Sequence, residues 1–163
     1  MIDHPERKNI RLTNHDYSTA GYYFITICTK DRRMALGSVI PNVGAIINRP
    51  SSGVELSEYG KIAEAAIIEI PIHYQDVTVD KYVIMPNHIH LILVITRGRL
   101  VIAPTNVSVI IQQLKRYISK QIGYSIWQKS YYDHIIRDEA DYMAIWRYID
   151  DNPAKWQEDE YFQ

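Results

Sequence analysis

Apolar and polar positions along the chain alternate between two periods, and the changes of period mark its elements. YYFITICT (22–29) combines aromatic and β-branched residues and reads as a first strand. From Leu56 the spacing becomes helical: Tyr59, Ile62, Ala63, Ala66, Ile67 and Ile70 fall on one side, behind Ser57 as N-cap and up to Pro71. TVDKYVIM then restores the strand pattern. Pro86 and Asn87 reverse the chain, and HIHLILVI returns as an antiparallel partner. Beyond a turn at Gly98 and a loop at Pro104, residues 107–122 place Val109, Ile110, Leu114, Tyr117 and Ile118 on one side and Lys115 and Lys120 elsewhere, an amphipathic helix. SYYDHIIR (130–137) predicts a further strand, and Asp138 or a neighbour caps a last helix through ADYMAIWRYID.

The resulting order, β-α-β-β-α-β-α, predicts an α+β fold: a ferredoxin-like split βαβ with an antiparallel sheet, helices mainly on one face and an extra C-terminal helix. The first fifteen residues are polar and irregular, and GSVIPNVGAIINRPSSG (37–53) predicts a loop or small hairpin. At 163 residues, 47% of them hydrophobic, the chain fits one domain spanning 1–163. No apolar run reaches the roughly 18 residues of a membrane span, and the N-terminal segment carries charges where a signal peptide needs an apolar block. A soluble, cytoplasmic protein with no membrane partner is expected. The lone Cys28, within an apolar run, is read as a buried structural thiol.

Two histidines interrupt the apolar strand. Side chains two apart on a strand share a face, so His88 and His90 emerge together while Ile89 and Leu91 point the other way. They make either a pair of neighbouring nitrogen ligands, expected on an exposed face, or two partly buried rings with ordinary hydrogen bonds. The net charge of −1 carries no basic signature, but its distribution is uneven. Between Lys81 and Tyr132 there are seven basic residues and no Asp or Glu, whereas nine acids and three bases follow from Asp133 onward. A stretch with both histidines and no competing carboxylate can receive a polyanion, or it can be a solvated run of lysines.

In the last helix, RYIDDNP sets Tyr148 and Asn152 four residues apart and so on one face, although NP is also a plain helix stop. With YFITICTKDR (23–32), YVIMPNHIHLI (82–92), IWQKSYYDHIIRDEADY (126–142) and YIDDNPAKW (148–156), the chain resembles the REP-associated tyrosine transposases, relatives of the single-strand HUH transposases. The resemblance implies that His88 and His90 form the HUH pair, that Tyr148 is the catalytic nucleophile, and that Asn152 completes a site for divalent Mg²⁺ or Mn²⁺. It implies cleavage and rejoining of single-stranded or hairpin DNA through a covalent phosphotyrosine, by a monomer or homodimer. Lys115, Arg116 and Lys120, with Arg32, Arg33 and Arg137, are candidate phosphate contacts, and Trp127, Tyr131 and Tyr132 candidate stacking platforms. Two alternatives stay open: a descendant that binds nucleic acid without cutting, and a water-using metal hydrolase, for which the histidine segment offers no carboxylate base.

Overall fold

The computed structural model describes residues 19–40, 53–96 and 105–161. In chain order these form β1 (Gly21–Cys28), a short 3₁₀ turn (Lys30–Arg32), β2 (Gly37–Val39), β3 (Val54–Leu56), α1 (Glu58–Ile68), α2 (Ile70–His73), β4 (Val77–Ile84), β5 (His88–Ile95), α3 (Val107–Ile122), β6 (Tyr132–Ile136), α4 (Glu139–Asp151) and a second 3₁₀ turn (Trp156–Glu158). The expected caps are in place. Ser57 Oγ accepts from Gly60 N at 3.1 Å, and Asp138 Oδ1 accepts from Asp141 N at 2.8 Å. Asn106 caps α3, which ends at Gly123 in the left-handed conformation that glycine adopts without a side-chain clash. Pro71 does not end helical structure; it occupies the first turn of α2, where its missing N–H costs nothing.

The four long strands form an antiparallel sheet in the order β4-β5-β1-β6, the split βαβ arrangement that the order of elements predicts. β2, at the start of the irregular 37–53 segment, pairs with β3, just beyond its end, as a separate small ribbon. Residues 41–52 of that segment lie outside the described residues, as do the N-terminal fifteen, Arg97, the Gly98 turn, Arg99 and the Pro104 loop.

Strand alternation divides the apolar residues between two clusters. On one face Tyr23, Ile25, Ile27, Ile89, Leu91, Leu93 and Ile95 pack against α1 and α3 through Ala63, Ile67, Ile110, Ile111, Leu114 and Ile118. On the other, Phe24, Val83, Met85 and Ile92 form a smaller cluster with Ile136, Ile149 and Trp156. The extra helix α4 therefore lies across the sheet from α1 and α3, over the face that carries the histidines. Polar contacts pin it to β4: Lys81 Nζ meets Asp150 at 2.7 Å and sits 3.3 Å from the centre of the Trp146 ring, and Tyr142 Oη donates to Asp80 at 2.7 Å. Ile149 is its one fully buried side chain.

Candidate active site

The register of β1 against β5 sets Thr26 opposite His90 and Cys28 opposite His88, so all four side chains share the α4 face. Each imidazole is held by its Nδ1. His90 Nδ1 lies 2.8 Å from Thr26 Oγ1, and His88 Nδ1 lies 2.9 Å from Asn87 Oδ1. The orientation of the Asn87 amide is fixed, because its Nδ2 donates to the carbonyls of Arg32 and Tyr161. Its Oδ1 is then an acceptor, His88 carries its proton on Nδ1, and the Nε2 lone pair points into the site. That is the second-sphere arrangement by which proteins prepare a histidine for a metal.

From α4, Tyr148 brings its hydroxyl to 3.3 Å from His90 Nε2. Asn152, the C-cap one turn later, is buried, and its Nδ2 donates to Asp159 Oδ2 at 2.7 Å. Tyr142, about 120° round the helix from Tyr148 at 100° per residue, reaches Asp80 instead, so the two tyrosines serve different surfaces.

The C-terminal segment closes over this group. Tyr161 stacks at a tilt on His88 with ring centres 4.5 Å apart, and Trp156 lies 5.9 Å from the same ring. Arg32 holds the segment from outside: its Nη1 donates to Glu160 O at 2.8 Å and its guanidinium sits 5.1 Å from the centre of the Tyr161 ring. Asp31 and Arg32 both have left-handed backbone (φ 54° and 50°), an uncommon conformation for non-glycine residues that marks a constrained turn here.

This cover corrects one expectation. The histidines share a face, as alternation requires, but that face is not exposed: His88 is 0% and His90 1% accessible. Burial pulls the His88 pKa down to about 4, with Arg32 adding to it and the Asp159 carboxylate and Asn152 amide opposing it. Burial, then the neighbouring His88, drives His90 well below its ordinary value. Both rings are neutral at pH 7, the form that binds metals. Burial pushes Tyr148 up to about 12, helped by Asp159 and Glu160, while the Asn152 amide works the other way.

Two buried atoms of the site have no hydrogen-bond partner among the described residues: His88 Nε2 and Asn152 Oδ1. Leaving such groups unpaired costs about 1–3 kcal/mol each, and both are lone-pair donors. With His90 Nε2, capped only by a long contact to Tyr148, they fit a divalent cation. The C-terminal end of α4, where helix dipoles favour positive charge, adds to the fit.

Of the residues singled out from sequence, His88, His90, Tyr148, Asn152 and Arg32 come together. The others do not. Lys115, Arg116 and Lys120 belong to α3, across the sheet, and Lys115 is occupied, donating to the carbonyls of Gln128 and Ser130. Arg116 joins Lys30, Lys115 and Lys129 around a groove of about 660 Å³ that also contains Asp31. Arg33 is exposed and pairs with Asp31 at 3.9 Å, while Arg137 is exposed at the start of α4. Trp127 and Tyr131 are core residues, and only Tyr132 is open on the histidine face. Cys28 is partly buried and its thiol is raised to about 11 by burial, so it is protonated, as a structural thiol should be. Sequence reading missed Thr26, Asn87, Asp159 and Tyr161. Asp159 supplies a carboxylate near the histidines that their own segment lacks, with one oxygen and the two histidine ligand nitrogens all within 4.8 Å of one another.

No family model matches the chain. An uncharacterized protein of Haemophilus influenzae is 30% identical over 177 aligned positions, covering 96% of this chain and 93% of its own. A second protein of that organism, provisionally named a REP-associated tyrosine transposase, is 25% identical over 155 positions, 86% of this chain and 74% of its own. Among solved structures, a REP-associated tyrosine transposase bound to a REP hairpin superposes with a TM-score of 0.63 at 22% identity, covering 90% of this chain and 74% of the other. In sequence the chain is thus similar to a provisionally named REP-associated tyrosine transposase, and in fold to a solved one.

Proposed function

We propose that the protein cleaves and rejoins single-stranded or hairpin DNA through a covalent bond to Tyr148, with His88, His90 and Asn152 holding a divalent Mg²⁺ or Mn²⁺ ion. The observation that carries this reading is the convergence of the Tyr148 hydroxyl on His90 Nε2 beside two unpartnered lone-pair atoms, His88 Nε2 and Asn152 Oδ1. Hairpin DNA is the ligand of the solved neighbour, and the whole described fold acts as one transposase-like unit.

Tyr148 Oη attacks the scissile phosphorus, forming a phosphotyrosine ester as the bond to the leaving 3′ oxygen breaks. The phenol gives up its proton and the 3′ oxygen gains one, so the exchange is balanced and reversible by that same hydroxyl. A bound divalent ion would supply Lewis acidity to the phosphate oxygens. The chain does the rest: Thr26 and Asn87 hold the imidazoles, α4 sets Tyr148 one turn from Asn152, and the Asn152 amide favours the phenolate against burial. Arg116 and the groove around it, with Arg137 and Arg32, are the remaining phosphate contacts, and Tyr132 is the platform for an unpaired base. Because residues 156–161 cover both imidazoles, DNA reaches them only after that segment shifts.

Incubation of a labelled hairpin carrying single-stranded flanks with Mn²⁺ or Mg²⁺, followed by a denaturing gel, gives a protein–DNA adduct whose modified peptide contains Tyr148. An adduct on another tyrosine, or cleavage by Tyr148→Phe, refutes the assignment. The burial of both imidazoles favours a second reading, a relative that binds hairpins without cutting them, and binding with no adduct in either metal identifies it.

A further inference from the structure

The tail that covers the site also carries a charge into it. Asp159 lies seven residues beyond Asn152, and the 3₁₀ turn at Trp156–Glu158 folds it back. We propose, building on the reading above, that Asp159 is itself a ligand of the cation, so that the centre is two imidazoles, one amide and one carboxylate, completed from the C-terminal segment.

Three observations support it. First, one Asp159 oxygen and the ligand nitrogens of His88 and His90 all lie within 4.8 Å of one another. Opposed ligands of a divalent ion stand about 4–5 Å apart, so the set spans one cation's shell. Second, the carboxylate has capacity left. Oδ2 accepts from Asn152 Nδ2 and Oδ1 from the Tyr161 N–H, both at 2.7 Å, which leaves each oxygen a free lone pair. Third, the other candidate ligands are neutral. A divalent charge enclosed by two imidazoles and an amide is uncompensated, and a buried charge needs an opposite partner. Asp159 is the acidic side chain grouped with the two histidines among the described residues.

The competing role is positioning, since Asp159 also fixes which end of the Asn152 amide faces the histidines. Asp159→Asn separates the two, because an amide oxygen at that position still accepts from Asn152, and what is lost is the negative charge and the acceptor of the Tyr161 N–H. We expect Mn²⁺ affinity of the full chain, measured without DNA by calorimetry and by loss of the free-ion paramagnetic resonance signal, to fall by about tenfold or more in Asp159→Asn. Mg²⁺, the harder ion, should lose more than Mn²⁺. Asp159→Cys provides a second test that does not depend on weakened binding: it should gain Cd²⁺ binding, with a thiolate-to-Cd²⁺ absorption band above that of the wild type. Affinity within twofold of wild type in Asp159→Asn, with no added Cd²⁺ band in Asp159→Cys, overturns the proposal. His90→Ala distinguishes this from failure of the parent reading: if it too leaves Mn²⁺ binding unchanged, the imidazole site itself is wrong and both fall.

Discussion

On one face of the sheet, Ile25, Ile27, Ile89 and Leu91 meet α1 and α3 in a single apolar cluster; on the other, Thr26, His88 and His90 occupy the same strand centres under a largely exposed helix and a short tail. Both faces are buried, but by different means. The first excludes water with apolar area, at roughly 25 cal/mol per Å². The second does so with a smaller apolar cluster around Phe24, Met85, Ile92 and Trp156, joined by Lys81–Asp150, the Tyr142–Asp80 bond and the Arg32 contacts to the tail, and it encloses His88 Nε2 and Asn152 Oδ1. Surface ion pairs contribute little, so the histidine face opens at lower free energy than the sheet itself unfolds. One side of the molecule specifies the fold, and the other encloses the histidines and Tyr148 under a cover that opens more easily.

The sharpest way to test that division is Tyr148→Phe. Strand cleavage should drop by at least about a thousandfold, while denaturant unfolding changes by under about 1 kcal/mol, because the hydroxyl's contact to His90 is long. Leu91→Ala on the apolar face should do the reverse. A loss of about 2–5 kcal/mol in stability, with metal affinity of the folded fraction unchanged, is expected from urea titrations and calorimetry.

Acid should act on the histidine face alone. His88 titrates at about 4 in the folded chain against an ordinary 6.5, so the unfolded state binds more protons between those values. Stability is therefore complete above pH 6.5 and is lost as pH falls toward 4, by roughly 3 kcal/mol if the full shift is expressed. Asp159 opposes that shift and Arg32 reinforces it. Chemical unfolding at pH 7 and pH 4.5 measures the loss, and because His90 is also held well below its ordinary value, His88→Gln should remove only the part that belongs to His88.

Smaller effects locate the cover and the DNA. Arg32→Ala removes the hold on Glu160 and Tyr161 at a cost of about 1 kcal/mol, and both histidines should then react faster with diethylpyrocarbonate. An unchanged rate would mean that the tail is held by Trp156 and Asn87 without Arg32. Arg116→Ala, on α3, should weaken hairpin binding a few-fold and lower its salt slope by about one; no change there, with weakening in Arg137→Ala, would assign DNA to the histidine face alone.

Much of this was legible in the sequence because it depends on local period. Strand alternation put His88 and His90 on one side and Ile89 on the other, and the four-residue spacing of Tyr148 and Asn152 survives in α4. Asn87, Asp159 and Tyr161 were not legible, since their contacts span 55 to 74 residues or rest on a tail that doubles back after a helix stop. No periodic pattern encodes such a return. The expectation of exposed histidines failed for the same reason: the cover is a separate segment. Thr26 was within reach, because pairing the two apolar strands in register sets it against His90.

Asn87 makes two contacts that belong to different levels of the structure: through Oδ1 it settles the protonation of His88, and through Nδ2 it grips the carbonyl of Tyr161. One side chain cannot serve two equilibria independently. If the closed tail sharpens the imidazole for a cation by some factor, then by thermodynamic reciprocity the cation tightens the tail by the same factor. Release of the C-terminal segment and loss of such an ion would then share one coupling free energy, and the difference in tail opening with and without Mn²⁺ is its measure.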